Sequence, residues 1–207
     1  ICDLAGCVLH AATCRDSRID LESLLNVLMP YRLHMAGIPI GALGVALPGI
    51  VDTEAGTLLA SVPLGVAGPI RLPERIGSRE YPVFYANDAH CICWGRICFA
   101  HESADFYLHY LSFVENDPPT GSFARIIHGS AMFSGGAAFT GARHCAGELR
   151  IKSQLAFAGS GERYLDHGTR LKMKSDPVTM DLYLESLAFN IAYVATFMDV
   201  PKVVLYG

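Results

Sequence analysis

Two stretches decide the fold: Leu43-Gly44-Val45-Ala46-Leu47-Pro48-Gly49-Ile50-Val51-Asp52 and, further on, Pro82-Val83-Phe84-Tyr85-Ala86-Asn87-Asp88-Ala89. In each, a nearly continuous apolar run of strand length (40–47 and 82–86) stops at turn or polar residues, Pro48-Gly49 in the first and Asn87-Asp88 in the second. Continuous apolar strands alternating with helices predict a sheet covered on both faces. The segment 87–100 reads as a helix that starts at a polar cap. A strand-to-helix junction of this kind lies at the carboxyl edge of a sheet, where ligands of open α/β folds collect. Asp accepts from the hydroxyls of a ligand and Asn both donates and accepts; the plainer reading is that one of the two only caps the helix. Pro48-Gly49 lets the backbone turn tightly and approach a ligand, or it simply ends a strand.

Outward from this pair, residues 1–13 alternate around Ala5-Gly6 as a hairpin does, and Asp20 caps a helical pattern of Leu21, Leu24, Leu25 and Leu28. Residues 106–114 read as a strand, the turn 116–121 joins it to a second strand over 123–133, and Gly135, Gly136 and Gly141 lie in loop. A helix is predicted over 181–198, stopped by Pro201, and a last strand over 203–205. The pattern divides at 101–105 into an amino-terminal α/β lobe, 1–104, and a carboxyl-terminal α/β lobe, 105–207. Further sequence is expected at both ends, because Ile1 is not an initiator Met and a final strand normally feeds another helix.

The chain has 207 residues, 51% of them apolar, enough to bury a substantial core. Its net charge of −4 gives no basic field of the kind that neutralises nucleic-acid phosphates. The longest apolar stretch, 38–50, is broken by Gly and Pro and falls short of the roughly 20 residues that a membrane helix needs. Nothing near Ile1 has the basic flank and cleavage site of a signal peptide. Seven scattered cysteines without a CxxC pair predict a reduced, cytoplasmic chain. His90, Cys91 and Cys93 fall in an apolar helical run and read as core groups rather than metal ligands.

The stretch 43–52 followed by Tyr85-Ala86-Asn87-Asp88-Ala89 resembles the IGIPGxVD and ENDAN motifs of the ROK family, bacterial sugar kinases and sugar-responsive repressors. Between them, Leu59-Ala60-Ser61-Val62-Pro63 and Gly68-Pro69-Ile70-Arg71-Leu72 are similar to the segment where the family usually has Asn-x-Pro and a short helix. Gly141-Ala142-Arg143-His144-Cys145-Ala146-Gly147-Glu148 looks like GANGAAGE, and Pro201-Lys202-Val203-Val204-Leu205-Tyr206-Gly207 like PExIVLGG. The resemblance covers nearly the whole chain in order. It implies an α/β, actin-like (ribonuclease H-like), two-lobed fold, its sheets flanked by helices and a ligand cleft between the lobes. It further implies that Gly49, Asn87, Asp88 and Glu148 bind a monosaccharide or sugar phosphate, that Asp88 is the catalytic base if the protein is a kinase, and that the protein is a homodimer.

Departures from the family pattern bear on activity. The second phosphate loop, GTGIGAG in the kinases, aligns with Arg125-Ile126-Ile127-His128-Gly129-Ser130-Ala131, which keeps only Gly129 as a degenerate cofactor-binding position. Backbone amides reach phosphates through glycines, so Ile127 and His128 argue against an ATP site. Ile151 replaces the histidine of GExGH, and the cysteine cluster that follows in the family is missing from 154–162, so no zinc is expected. Glu162 reads as a solvated loop residue rather than a replacement acidic ligand. The expectation is a sugar-sensing effector domain of a transcriptional regulator, without a cofactor, touching DNA only through an upstream domain. The alternatives are an ATP- and magnesium-dependent hexose or amino-sugar kinase, and an actin-like domain used only for subunit contacts.

Overall fold

A computed structural model describes residues 1–11, 21, 25, 40–76, 81–101, 105–115, 123–147 and 167–207. The chain forms two compact units, residues 1–102 and 103–207. The described residues are mixed α/β.

The amino-terminal unit rests on two three-stranded sheets. In the first, β1 (Leu43–Leu47) runs parallel to β6 (Tyr81–Asn87), and the short β5 (Arg75–Ile76) pairs antiparallel with β6. In the second, β2 (Ile50–Asp52), β3 (Thr57–Ala60) and β4 (Ile70–Arg71) form an antiparallel ribbon. Asp52 turns the ribbon by accepting the Ala55 amide at 2.8 Å. Leu43, Val45, Leu47, Leu58, Leu72, Ile76 and Val83 form one buried cluster with Tyr85, whose hydroxyl donates to the Pro73 carbonyl at 2.9 Å. Burial pushes the Tyr85 phenol up to about 12.

Two sequence expectations change here. β1 alternates buried and exposed, the exposed positions being Gly44 and Ala46, and Phe84 of β6 is 67% exposed. Small residues made a one-sided strand read as continuously apolar. The 68–72 segment, where the family usually has a short helix, instead supplies β4, paired with Thr57 and Leu58. At the start of the chain, Cys2 and Val8 form an isolated antiparallel bridge around a turn in which Asp3 accepts the Ala5 and Cys7 amides.

After β6 comes α1 (Asp88–Ala100), which begins and ends where the sequence reading placed it. His101 closes it in the left-handed conformation.

The carboxyl-terminal unit is built on a sheet of order β10-β7-β8-β9: β7 is Phe106–Glu115, β8 Phe123–Ser134, β9 Ala137–Ala138 and β10 Val203–Tyr206. β7 and β8 form a long antiparallel pair, and β10 runs parallel to β7. The first four residues of β7 are all buried, so this strand is covered on both faces at that end. Phe106 stacks on Phe133 on one face, ring centroids 5.8 Å apart. On the other, Tyr107 packs against Leu187 and Ile191 of α3 (Pro177–Phe197). α3 starts earlier than its apolar periodicity suggests: Asp176 caps it through the Val178 amide and Pro177 occupies its first turn. A shorter helix, α2 (His167–Ser175), precedes it, and Lys174 at its end pairs with Glu115 of β7 at 2.8 Å. Among the described residues, no helix is long and apolar enough to cross a membrane.

Candidate functional site

Of the predicted site residues, the structure brings Gly49, Asn87 and Asp88 together in the amino-terminal unit. Gly129 lies in the carboxyl-terminal unit, and Glu148, Ile151 and Glu162 lie outside the described residues, as do the 116–121 turn and the helical pattern after Asp20 apart from Leu21 and Leu25.

Gly49 needs its glycine. Its φ is +127°, and a Cβ there would stand 2.3 Å from the Ala60 carbonyl oxygen. The turn is therefore pressed onto the end of β3, and its two carbonyls point to different partners. Pro48 O accepts from the Ser61 hydroxyl at 2.5 Å, and Gly49 O accepts from Asn87 Nδ2 at 2.9 Å. Parallel pairing of β1 with β6 sets Leu47 beside Asn87, which brings the turn to the start of α1.

Asn87 caps α1: its Oδ1 accepts the His90 amide at 3.1 Å. With Nδ2 donating to Gly49, the orientation of the Asn87 amide is fixed from both ends. The capping reading of Asn87 is thus correct, and a ligand would use what this bonding leaves over.

Asp88 accepts the amide of Ala89 at 2.9 Å. Burial raises its carboxyl above the ordinary value, while the helix amides, nearby His90 and the Asn87 side chain pull it part of the way back. Raised basicity beside a fixed amide suits a carboxylate that accepts from a neutral hydroxyl. His90 is 6% exposed, its Nε2 has no hydrogen-bond partner, and burial lowers its pKa so that it stays neutral. Burial lifts the thiol of Cys93 to about 12, which makes it an inert core group. Among the described residues, no three His, Cys, Asp or Glu side chains gather as a metal site would require.

The segment aligned with the phosphate loop has a different structure. Residues 125–131 are the middle of β8, paired in continuous register with 108–114 of β7, and Gly129 sits opposite Tyr110. Amides of a regular strand point alternately to its two edges, so they do not converge on one anion as those of a glycine-rich nest do.

His128 is also tied down. His109 and His128 lie diagonally across the β7–β8 ladder, with 3.2 Å between His109 Nε2 and His128 Nδ1. Their other nitrogens meet tyrosine hydroxyls, His109 Nδ1 that of Tyr107 at 3.3 Å and His128 Nε2 that of Tyr183 on α3. Ser130 shares a hydrogen bond with Tyr107 and donates its own proton to the Gly147 carbonyl. The four ring nitrogens of His109 and His128 thus all have partners, and one N–H on each ring suffices for the bonds between them. Every link is satisfied without charge. Burial lowers both histidines to about 4, His109 also through its neighbour His128, and raises the phenols of Tyr107 and Tyr183. Sequence reasoning missed this chain, because only strand register brings residues so far apart together.

No family model and no curated protein matches this sequence. Solved structures do match it. A ROK family protein from Streptococcus pneumoniae TIGR4, in complex with sucrose, superposes with a TM-score of 0.68 over 100% of this chain and 74% of its own, at 15% identity. The chain has the fold of the ROK proteins. A ROK family transcriptional regulator, a homologue of the E. coli MLC protein, gives 0.65 over 100% of this chain and 61% of its own, at 17% identity. A ROK glucokinase from Streptomyces griseus, in complex with glucose and AMPPNP, gives 0.59 over 91% and 72%, at 16% identity. The ROK fold thus serves both regulators and sugar kinases, and at these identities the likeness speaks for the fold alone.

Proposed function

We propose that the chain is the sugar-sensing effector domain of a ROK-family transcriptional regulator with an actin-like fold. It binds a monosaccharide or sugar phosphate at the Pro48-Gly49 turn and the Asn87-Asp88 helix start. The single observation that carries this reading is the contrast at the two motif positions. Gly49, Asn87 and Asp88 meet at one strand edge, with the Asp88 carboxyl raised above its ordinary value and Asn87 fixed, which supports the sugar half of the reading. The segment aligned with the phosphate loop is a paired strand whose His128 is engaged by His109 and Tyr183.

In this reading Asp88 accepts from a sugar hydroxyl, Asn87 orients it, and no nucleotide or zinc is needed. The protein is a cytoplasmic homodimer in a bacterium, and DNA is read by a domain outside this chain. Calorimetry with a panel of monosaccharides, then with ATP and magnesium, tests the reading: heat with a sugar and none with ATP is expected. Elemental analysis is expected to find no stoichiometric zinc.

One observation favours a second reading, an ATP-dependent hexose or amino-sugar kinase. Asp88 has the raised basicity of a general base that would take the proton from the sugar hydroxyl attacking the γ-phosphate. ATP turnover that depends on a hexose and on Asp88 would establish it.

A further inference from the structure

Ser61 lies outside the residues assigned to the sugar, yet it is 1% exposed and bonded through both its hydroxyl and its backbone beside the Pro48-Gly49 turn. Its hydroxyl donates to Pro48 O at 2.5 Å and accepts the Leu64 amide at 3.3 Å. Its backbone exchanges two 2.8 Å hydrogen bonds with Val66, which close the 62–65 loop. Ser61 is thus held from behind by its own loop and holds the turn in front.

The geometry points to Ser61 as a positioning residue for the proposed sugar site, acting on Asn87 through the Pro48-Gly49 peptide. A hydrogen bond to Pro48 O fixes the plane of that peptide. Gly49 has φ +127°, and a Cβ there would run into Ala60 O and Ser61, so the turn that carries the Gly49 carbonyl sits tight against the residue that bonds Pro48 O. That carbonyl receives Asn87 Nδ2, so the Ser61 hydroxyl decides, two bonds away, how the Asn87 amide is presented beside Asp88. Without the hydroxyl, Pro48 O has no donor, the peptide is free to rotate, and Asn87 keeps only its capping bond to His90. This inference rests on the sugar-site reading for its functional consequence, but its geometry can be tested without any sugar.

The test uses Ser61→Ala together with Ile76→Val, a core change in the same unit that costs stability without touching the turn. Two quantities are read: solvent-exchange protection of the Asn87 side-chain amide by NMR without ligand, and sugar affinity by calorimetry. Ser61→Ala is expected to lose the amide protection and to weaken sugar binding about tenfold, the equivalent of one hydrogen bond. Ile76→Val is expected to keep both. Ser61→Cys keeps a side chain of the same shape, slightly larger and with a poorer donor, and covers the case in which the alanine chain does not fold; it should shift the same amide resonances in the same direction. Wild-type amide protection in Ser61→Ala or Ser61→Cys overturns the inference. If the unaltered protein binds no sugar, the functional proposal fails by itself, while the amide measurement still decides the role of Ser61.

Discussion

The β1–β6 edge of the amino-terminal unit and the β7–β8 hairpin of the carboxyl-terminal unit both occupy motif positions of the ROK pattern, and they use backbone in opposite ways. At the first, a glycine at positive φ and a capped helix start leave carbonyl, amide and carboxylate groups gathered at one strand edge. At the second, a regular ladder and an aromatic hydrogen-bond chain leave nothing gathered. A shared fold does not fix what either position does, because each depends on its own local chemistry.

Glycine substitutions should break the symmetry most strongly. Gly49→Ala places a Cβ against the Ala60 carbonyl at positive φ and is expected to cost about 2 to 4 kcal/mol of stability together with sugar binding. Gly129→Ala, in mid-strand, should change stability by less than about 1 kcal/mol. Urea unfolding of both variants checks this, and equal losses would erase the contrast.

Side-chain changes sharpen it. Asp88→Ala is expected to weaken sugar binding by roughly 1.5 to 3 kcal/mol while leaving stability near wild type, since the residue is exposed at the helix start. Tyr183→Phe should do the reverse. It takes the hydrogen-bond partner from His128 Nε2 and costs about 1 to 3 kcal/mol of stability with sugar affinity retained. Paired calorimetry and denaturation on the two variants would reveal any crossing of these effects.

A further effect is one of pH. His109 and His128 titrate near 4 when folded and near 6.5 when unfolded, so the unfolded chain binds more protons between those values. Their stabilising contribution is complete above about pH 6.5 and is lost as pH falls towards 4. The raised carboxyl of Asp88 runs the other way, gaining stability as pH falls through its own range. Thermal unfolding between pH 7.5 and 4.5 should show a falling melting temperature, and His128→Gln should flatten the slope.

The long elements were legible in the sequence because they carry several consistent signals: apolar runs for β1 and β6, a polar cap for α1, periodicity for α3. The ribbon β2–β4 was not, since strands of two to four residues carry too little pattern and gain their identity from pairing. α2 escaped because Leu171 and Met173 alone give it no apolar stripe. Its successor α3 announced its start in Asp176-Pro177, a signal outweighed by the later apolar spacing. At the site, Asn87 and Asp88 stood out through their place after a strand, whereas Ser61 is an ordinary loop serine until the fold brings Pro48 to it. His109 and His128 are likewise ordinary until the hairpin register sets them on one face.

The most direct test of the central claim is calorimetry on the purified protein, first with a monosaccharide panel and then with ATP and magnesium in the presence of the sugar that binds. The account predicts binding of a sugar, its weakening in Asp88→Ala, and no heat from ATP. Saturable ATP binding with phosphorylation of the sugar, abolished by Asp88→Ala, would contradict it.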